Sequence, residues 1–331
     1  MNKILVIQTA FIGDAVLATA LLEKLHHYYP KAQIDFLVRK GNEALLDGHP
    51  YVQQVLIWQK RKHKYRHLWQ LLLQIRKTRY QLVVTVQRYA ATGLLTALSG
   101  AQHRIGFDKN PFSWGFTHKI VHVASSTLHE IDKNQQLIAT FTDAQAAKPR
   151  LYPRKEDLQK VAPYQQGNYI CIAPTSVWYT KQFPAEKWIA LIQSLPTHLT
   201  IYLLGAPTDT ALCQSIADQS GSAKVVNLCG QLSFLASAAL MQRAVMNYVN
   251  DSAPMHFASS VNAPVTAIYC STVPAFGYGP LSDRRFIIES AENLSCKPCG
   301  VHGQATCPLQ HFRCAHSITN DQLLAVLNTH A

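Results

Sequence analysis

The chain has 331 residues, 48% of them hydrophobic and 15% charged. That balance excludes intrinsic disorder, and the length allows two domains of roughly 150 residues each. The net charge of +12 is confined to one half: residues 1–160 carry 23 Lys and Arg against 11 Asp and Glu, whereas residues 161–331 carry 8 of each. A single-sign field there points to an anionic partner, with nucleic acid, an acidic membrane surface and an acidic small-molecule headgroup as candidate classes.

In chain order, KILVI reads as a buried strand and AVLATALLEKL as a helix, so that Asp14 falls at the seam between them. The opening residues imitate a signal peptide, since Lys3 precedes an apolar run and Ala18-Thr19-Ala20 resembles a cleavage site. Gln8 and Asp14 interrupt that run, and no other stretch offers the ~18 apolar residues of a membrane span. A cytoplasmic protein is therefore expected.

The strands IDFLV, QVLIW, LVVTV and HRIGF follow, separated by helical runs such as HLWQLLLQIRKT and TGLLTALSG. KRKHKYRH, Lys60 to His67, is the densest basic run, which reads equally as a solvated face or as an anion contact. The stretch AQAAKPRLYPRKEDLQKVAPYQQGN breaks periodicity at Pro149, Pro153, Pro163 and Gly167, and marks a boundary between domains 1–160 and 161–331. Beyond it come the strands YICIA, LTIYLLG, VVNLCG, MNYVN, VTAIYC and FIIES, with helices in AEKWIALIQSL, DTALCQSIADQ and LASAALMQRA. The alternation predicts an α/β protein of two doubly wound, Rossmann-like domains.

Ligands of such sheets bind beyond the carboxyl ends of the strands. After KILVI, Gly13 frees the turn and Asp14 is either a helix cap or a general base held ionised by the helix N-terminus. After YICIA, Thr175, Ser176 and Lys181 precede a helix opened by Pro184, a set suited to phosphate and equally readable as an ordinary polar loop. After MNYVN, Ser252 reads as a helix cap with Pro254 in the first turn, flanked by Asp251 and His256, at a helix N-terminus that favours an anion such as a pyrophosphate.

Three segments in this order, Gly13-Asp14 between strand and helix, SVWYTKQFP with Lys181, and NDSAPMHFAS followed by Pro264 and a strand, resemble glycosyltransferase family 9, the ADP-heptose:lipopolysaccharide heptosyltransferases. The resemblance implies a GT-B fold of two Rossmann-like domains facing a cleft, the first taking the acceptor and the second the ADP-sugar. It makes Asp14 the catalytic base and Lys181 the group that holds the leaving ADP. Thr175, Ser176 and Lys181 would hold the donor phosphates, and Asp251, Ser252, Ala253 and His256 would line the nucleotide pocket. Acceptor contacts are expected from Gly13, Lys60, Arg61, Lys62 and Lys64, because the lipopolysaccharide inner core is acidic. The implied reaction is inverting transfer of heptose from ADP-L-glycero-D-manno-heptose to that core, with no metal required and with peripheral contact at the inner membrane.

Two positions depart from the family pattern. Ala253 stands where members often carry Gly after the Asp-Ser/Thr pair, and Gly205 is followed by Ala206 where some members place a ribose-binding Glu. Other readings are a different nucleotide sugar, a protein acceptor, a GT-B nucleotide-sugar epimerase, or anion or nucleic-acid binding by the basic half. Against nucleic acid stands the lack of a recognisable module; a dehydrogenase is disfavoured because no G-x-G-x-x-G follows the first strand.

Cys171, Cys213, Cys229 and Cys270 lie in or beside apolar segments and read as small buried residues. Cys296, Cys299, Cys307 and Cys314 begin with the C-x2-C spacing of a structural metal site, although the later gaps of seven and six are not those of a zinc ribbon. A structural metal or reduced thiols packing a loop are the two readings. Neither makes the segment catalytic.

Overall fold

The KILVI run forms the central strand β1 (Lys3–Ile7) of a six-stranded parallel sheet in the computed structural model, which describes residues 1–60, 63–123 and 128–328. β1 lies between β2 (Gln33–Arg39) and β4 (Leu82–Thr85), with Ile4 opposite Ile34 on one side and Leu82 on the other. Ile4 to Ile7 are fully buried, which is why the run is apolar without alternation. With β3 (Val52–Trp58), β5 (His103–Phe107) and β6 (His118–Ile120), the order is β3-β2-β1-β4-β5-β6.

Helices α1 (Ile12–Tyr28), α2 (Lys64–Thr78), α3 (Ala90–Ala97) and α4 (Glu130–Gln136) belong to the same unit, Met1–Tyr152. Leu68, Leu71, Leu72 and Ile75 of α2 recur at helical spacing and pack with Leu5, Leu37 and Val83 of the sheet.

The second unit, Pro153–Ala331, has the same architecture. Its strands are β7 (Tyr169–Ala173), β8 (Thr200–Leu203), β9 (Val225–Asn227), β10 (Met246–Asn250), β11 (Val265–Tyr269) and β12 (Arg285–Glu289), in the order β12-β11-β10-β7-β8-β9. Around them lie α5 (Lys155–Val161), α6 (Ala185–Ser194), α7 (Thr210–Ser220), α8 (Phe234–Gln242), α9 (Ala253–Ser260), α10 (Arg313–His316) and α11 (Asn320–Asn328). Trp188 and Phe183, edge to face at 5.1 Å, are fully buried in the core of this unit. The units part within the proline-rich stretch, and Asp157 of α5 is tied to the second by the Ser233 hydroxyl at 2.8 Å.

Several elements carried no periodic signal. β6 is three residues at a sheet edge, and α4, EIDKNQQ, offers a single large apolar side chain. The VVNLCG strand ends at Asn227, although Leu228 and Gly230 still run alongside the end of β8, their N–H groups on the Leu203 and Gly205 carbonyls at 2.9 and 3.0 Å. Among the described residues no helix is long and apolar enough to cross a membrane.

Each sheet reverses its strand order once, between β1 and β4 and between β7 and β10. Loops leaving the carboxyl ends of those strands border the crevice where doubly wound sheets hold ligands.

Candidate active site

Asp14 is the third residue of α1, and its Oδ2 accepts the Phe11 backbone N–H at 3.1 Å. The carboxylate therefore closes the helix start, as an acidic residue in a first turn does. The loop before it is held from three neighbouring strands. Gln87, just after β4, accepts from the Thr9 N–H at 3.0 Å and from the Thr9 hydroxyl at 2.5 Å. Asn42, beyond β2, donates to the Ala10 carbonyl at 3.2 Å, and Lys60, beyond β3, donates its ammonium to the Thr9 carbonyl at 2.5 Å.

Lys60 is thus a clamp on the Asp14 loop. Burial of its ammonium, with Arg39 and Lys64 nearby, lowers its pKa. Lys64 starts α2 with its ammonium 5.6 Å from the Tyr65 ring centre, while Arg61 and Lys62 lie outside the described residues. Gly13 sits in the first turn of α1 beside Asp14. Glu130 at the start of α4 joins this electrostatic group: burial raises its pKa, Lys133 at 3.8 Å opposes the rise, and the charge of Asp14 adds to it. Nothing in the sequence around Glu130 set it apart from any acidic residue opening a helix.

In the second unit the loops after β7 and β10 meet. The Lys181 ammonium lies 2.6 Å from Asp251 Oδ2, with the two side chains 15% and 10% exposed. The same carboxylate oxygen accepts the Thr272 hydroxyl at 2.7 Å. Asn250, fully buried at the end of β10, accepts the Phe183 N–H at 2.9 Å and donates to the Pro174 carbonyl at 2.8 Å, so it fixes both ends of the loop that carries Thr175, Ser176 and Lys181. Thr175 turns the other way and donates its hydroxyl to Asp209 at 3.0 Å, in the loop after β8. Ser176 is partly exposed in the same loop, and its carbonyl accepts from Gln182 at 2.7 Å.

Ser252 does occupy the N-cap of α9, but its hydroxyl makes no capping hydrogen bond and instead sits 3.5 Å from the Asn250 carbonyl. Pro254 has no N–H and the Met255 N–H is bonded to the Ser252 carbonyl at 3.1 Å, so what this helix start offers an acceptor is the Ala253 N–H. Ala253 is the first helical residue, and His256 is buried one turn in.

The cysteine-rich segment packs on the Lys181 turn. Thr180 and Gln304 exchange hydrogen bonds, the Thr180 N–H to the Gln304 carbonyl at 3.1 Å and the Gln304 N–H to the Thr180 hydroxyl at 2.8 Å. Ser271 donates to the same hydroxyl at 2.9 Å, and the Cys299 N–H reaches the Ser271 carbonyl at 2.8 Å. Cys299 donates its thiol to the Cys296 carbonyl at 3.3 Å, Cys296 Sγ lies 3.9 Å from His311 Nε2, and burial pushes the Cys314 thiol up to about 11. Among the described residues no three His, Cys, Asp or Glu side chains are placed to hold a metal ion, so these thiols do not form a metal set as they stand. Cys171, Cys213, Cys229 and Cys270 are buried, as their apolar surroundings imply.

Each unit thus carries an anchored loop at its own switch point, the first bearing the Asp14 carboxylate and the second the Lys181–Asp251 pair beside the start of α9. Residues 68–310, more than half of the chain, match glycosyltransferase family 9 (heptosyltransferase). The chain belongs to glycosyltransferase family 9. Like others of this family it is a glycosyltransferase. It is 25% identical over 281 residues to lipopolysaccharide heptosyltransferase 3 of Escherichia coli, covering 79% of this chain and 82% of that one. In fold it matches the E. coli ADP-heptose lipopolysaccharide heptosyltransferase II, with a TM-score of 0.80, 20% identity and coverage of 99% and 98%. It also matches the E. coli heptosyltransferase WaaC determined with ADP, with a TM-score of 0.76, 18% identity and coverage of 99% and 100%. The fold is accordingly the two-sheet GT-B architecture of these enzymes.

Proposed function

We propose that this family 9 enzyme transfers a heptose, with inversion, from ADP-L-glycero-D-manno-heptose to the lipopolysaccharide inner core. The observation that carries the donor half of this reading is the Lys181–Asp251 pair beside the start of α9 at the second switch point. Lys181 and Ser176 hold the phosphates, Thr175, whose hydroxyl is committed to Asp209, shapes their loop instead of binding them as expected, and Asp251, Ser252, Ala253 and His256 line the nucleotide pocket. Asp251 keeps the ammonium oriented, and that ammonium has further N–H donors for a phosphate oxygen. The similar enzyme WaaC has been determined with ADP and with ADP-2-deoxy-2-fluoro heptose, which supports an ADP-sugar here. Asp209, held by Thr175 and by the Ala206 N–H at 2.7 Å, stands in the loop where some relatives carry a ribose-binding Glu.

Asp14 acts as the base. Its carboxylate takes the proton of an acceptor hydroxyl, whose oxygen bonds to the anomeric carbon as the bond from that carbon to the β-phosphate oxygen breaks. The electron pair leaves with ADP, and Lys181, the positive end of the α9 dipole and the Ala253 N–H stabilise the added charge. Gly13 and the basic residues Lys60, Arg61, Lys62 and Lys64 belong to the acceptor side, Lys60 through the Asp14 loop it clamps. The protein works in the cytoplasm at the inner membrane surface, where an acidic acceptor meets the basic first unit.

Thermal stabilisation by nucleotides tests the donor: a ligand at 100 times its Kd adds about 2.7 kcal/mol to the native state. Selective stabilisation by ADP and ADP-heptose, followed by ADP release with a heptose-free core acceptor, is the expected result. Preference for UDP- or GDP-sugars would overturn the donor assignment.

A further inference from the structure

The surface of α2 that faces away from the core is not the polar face expected of a solvated helix. Tyr65, Trp69 and Leu73, at i, i+4 and i+8, are 79%, 60% and 51% exposed and form one apolar stripe. The adjoining face, Leu68, Leu71, Leu72 and Ile75, is buried in the core, whereas the stripe along its flank stays exposed. Arg66, Arg76 and Lys77 are exposed beside it, and no Asp or Glu occurs in the helix.

The charge around the stripe is as one-sided as the stripe is apolar. From Gly48 to Phe107 the chain carries ten Lys and Arg and no Asp or Glu. Lys3, Lys77 and Arg79 line an open hollow of about 490 Å³ at the carboxyl end of α2, with Asn2, Thr78 and Gln81 and without a carboxylate. A Tyr, a Trp and a Leu along one side of a helix, rimmed by cations and followed at the helix's carboxyl end by a basic hollow lined by no carboxylate, match the boundary between acyl chains and anionic headgroups.

We infer that α2 is the membrane-docking element of this enzyme: it lies in the plane of an anionic lipid surface, with Tyr65, Trp69 and Leu73 in the headgroup boundary and Arg66, Lys77 and Arg79 on lipid phosphates. The inference rests on the reading that the acceptor is borne on a lipid, and it names the surface that brings the enzyme to it. Basic residues supply the long-range attraction, which salt weakens, and the stripe supplies the contact that salt spares.

The test is co-sedimentation of the full chain with phosphatidylcholine vesicles containing or lacking 30% phosphatidylglycerol, for wild type, Trp69→Ser, a Tyr65→Ser/Leu73→Ser pair and Arg66→Glu/Lys77→Glu. The expected result is binding at least tenfold stronger to the anionic vesicles, a fivefold or greater loss in each variant, and quenching of tryptophan fluorescence by bromo-lipid that Trp69→Phe reduces. Circular dichroism confirms that each variant is folded. Unchanged vesicle binding by all three Ser and Glu variants overturns the inference, as does an absence of vesicle binding by wild type. A stripe variant that converts a dimer to a monomer would assign the face to a second copy of the chain, and a 20-base-pair duplex that outcompetes the vesicles would assign it to nucleic acid; either outcome overturns it too. Heptose transfer to a deacylated, soluble core acceptor is measured in parallel. It persists in the stripe variants if the reaction is read correctly, and its absence in wild type faults the functional reading separately.

Discussion

The Lys181 ammonium is 2.6 Å from Asp251 Oδ2, and that oxygen also accepts the Thr272 hydroxyl, so the cation assigned to the donor phosphates is already oriented before any donor arrives. Asp251→Ala leaves a nearly buried ammonium without its carboxylate. Loss of one partner of a buried pair costs about 3–5 kcal/mol, and the residual exposure here places the change at the lower end. Urea denaturation reads that loss. A Lys181→Met/Asp251→Leu double variant should regain most of the stability, while ADP binding measured by calorimetry stays at least tenfold weaker than in wild type.

Gly303 sets how closely the cysteine-rich segment approaches the same lysine. Its φ is +75, and a Cβ there would lie 2.8 Å from Lys181 Cγ. Gly303→Ala is expected to raise the KM for the ADP-sugar several-fold. Gly300→Ala provides the control, because its φ of +82 carries a similar backbone cost, about 1–2 kcal/mol, with nothing within 4 Å of the new Cβ. Equal KM values for the two variants would remove the segment from the positioning of Lys181.

Asn250 secures the loop as a whole. Asn250→Ala strands the Phe183 N–H and the Pro174 carbonyl in the interior, at about 1–3 kcal/mol for each unsatisfied group. Calorimetric unfolding should show a Tm several degrees lower, and ADP should recover only part of it.

His49 gives a pH signature. Burial holds its pKa at about 4, with His26 adding to the depression; Glu23 lies 3.8 Å away and Tyr51 and Tyr152 pack edge-on. The unfolded chain takes up this proton below about 6.5 and the native one only below about 4, so stability falls as pH drops through that window, by up to about 3 kcal/mol. Glu23, its carboxyl raised by burial, contributes the opposite slope. Urea titrations of wild type and His49→Gln between pH 7 and 4 should diverge in that sense; parallel curves would show that His49 does not carry the effect.

What the sequence disclosed follows from which signals are local. Strands buried on both faces are written as unbroken apolar runs, so KILVI, YICIA and MNYVN were legible, and their alternation with helices dictated the doubly wound sheets. The edge strand at His118 and the polar helix at Glu130 bury too little to leave a pattern. Asp14, Lys181 and Asp251 stood out as polar residues in loops that follow such strands. Gln87 and Asn250 each close an apolar run, LVVTVQ and MNYVN, but a lone polar residue at a strand end has no spacing that marks it as the anchor of a distant loop. Each does the same work in its own unit, tying the loop of the strand across the switch point. The bonds of Lys60 to Thr9 and of Gln304 to Thr180 span 51 and 124 residues, distances over which composition and spacing are silent.

The most direct measurement of the central claim is heptose transfer by Asp14→Asn. Asparagine keeps an oxygen to accept the Phe11 N–H, so the helix start survives while the base is removed. Unchanged ADP binding and Tm, with kcat reduced by roughly 10²–10⁴, is the predicted result. Near-normal kcat with the same binding would contradict the assignment of Asp14 as the base.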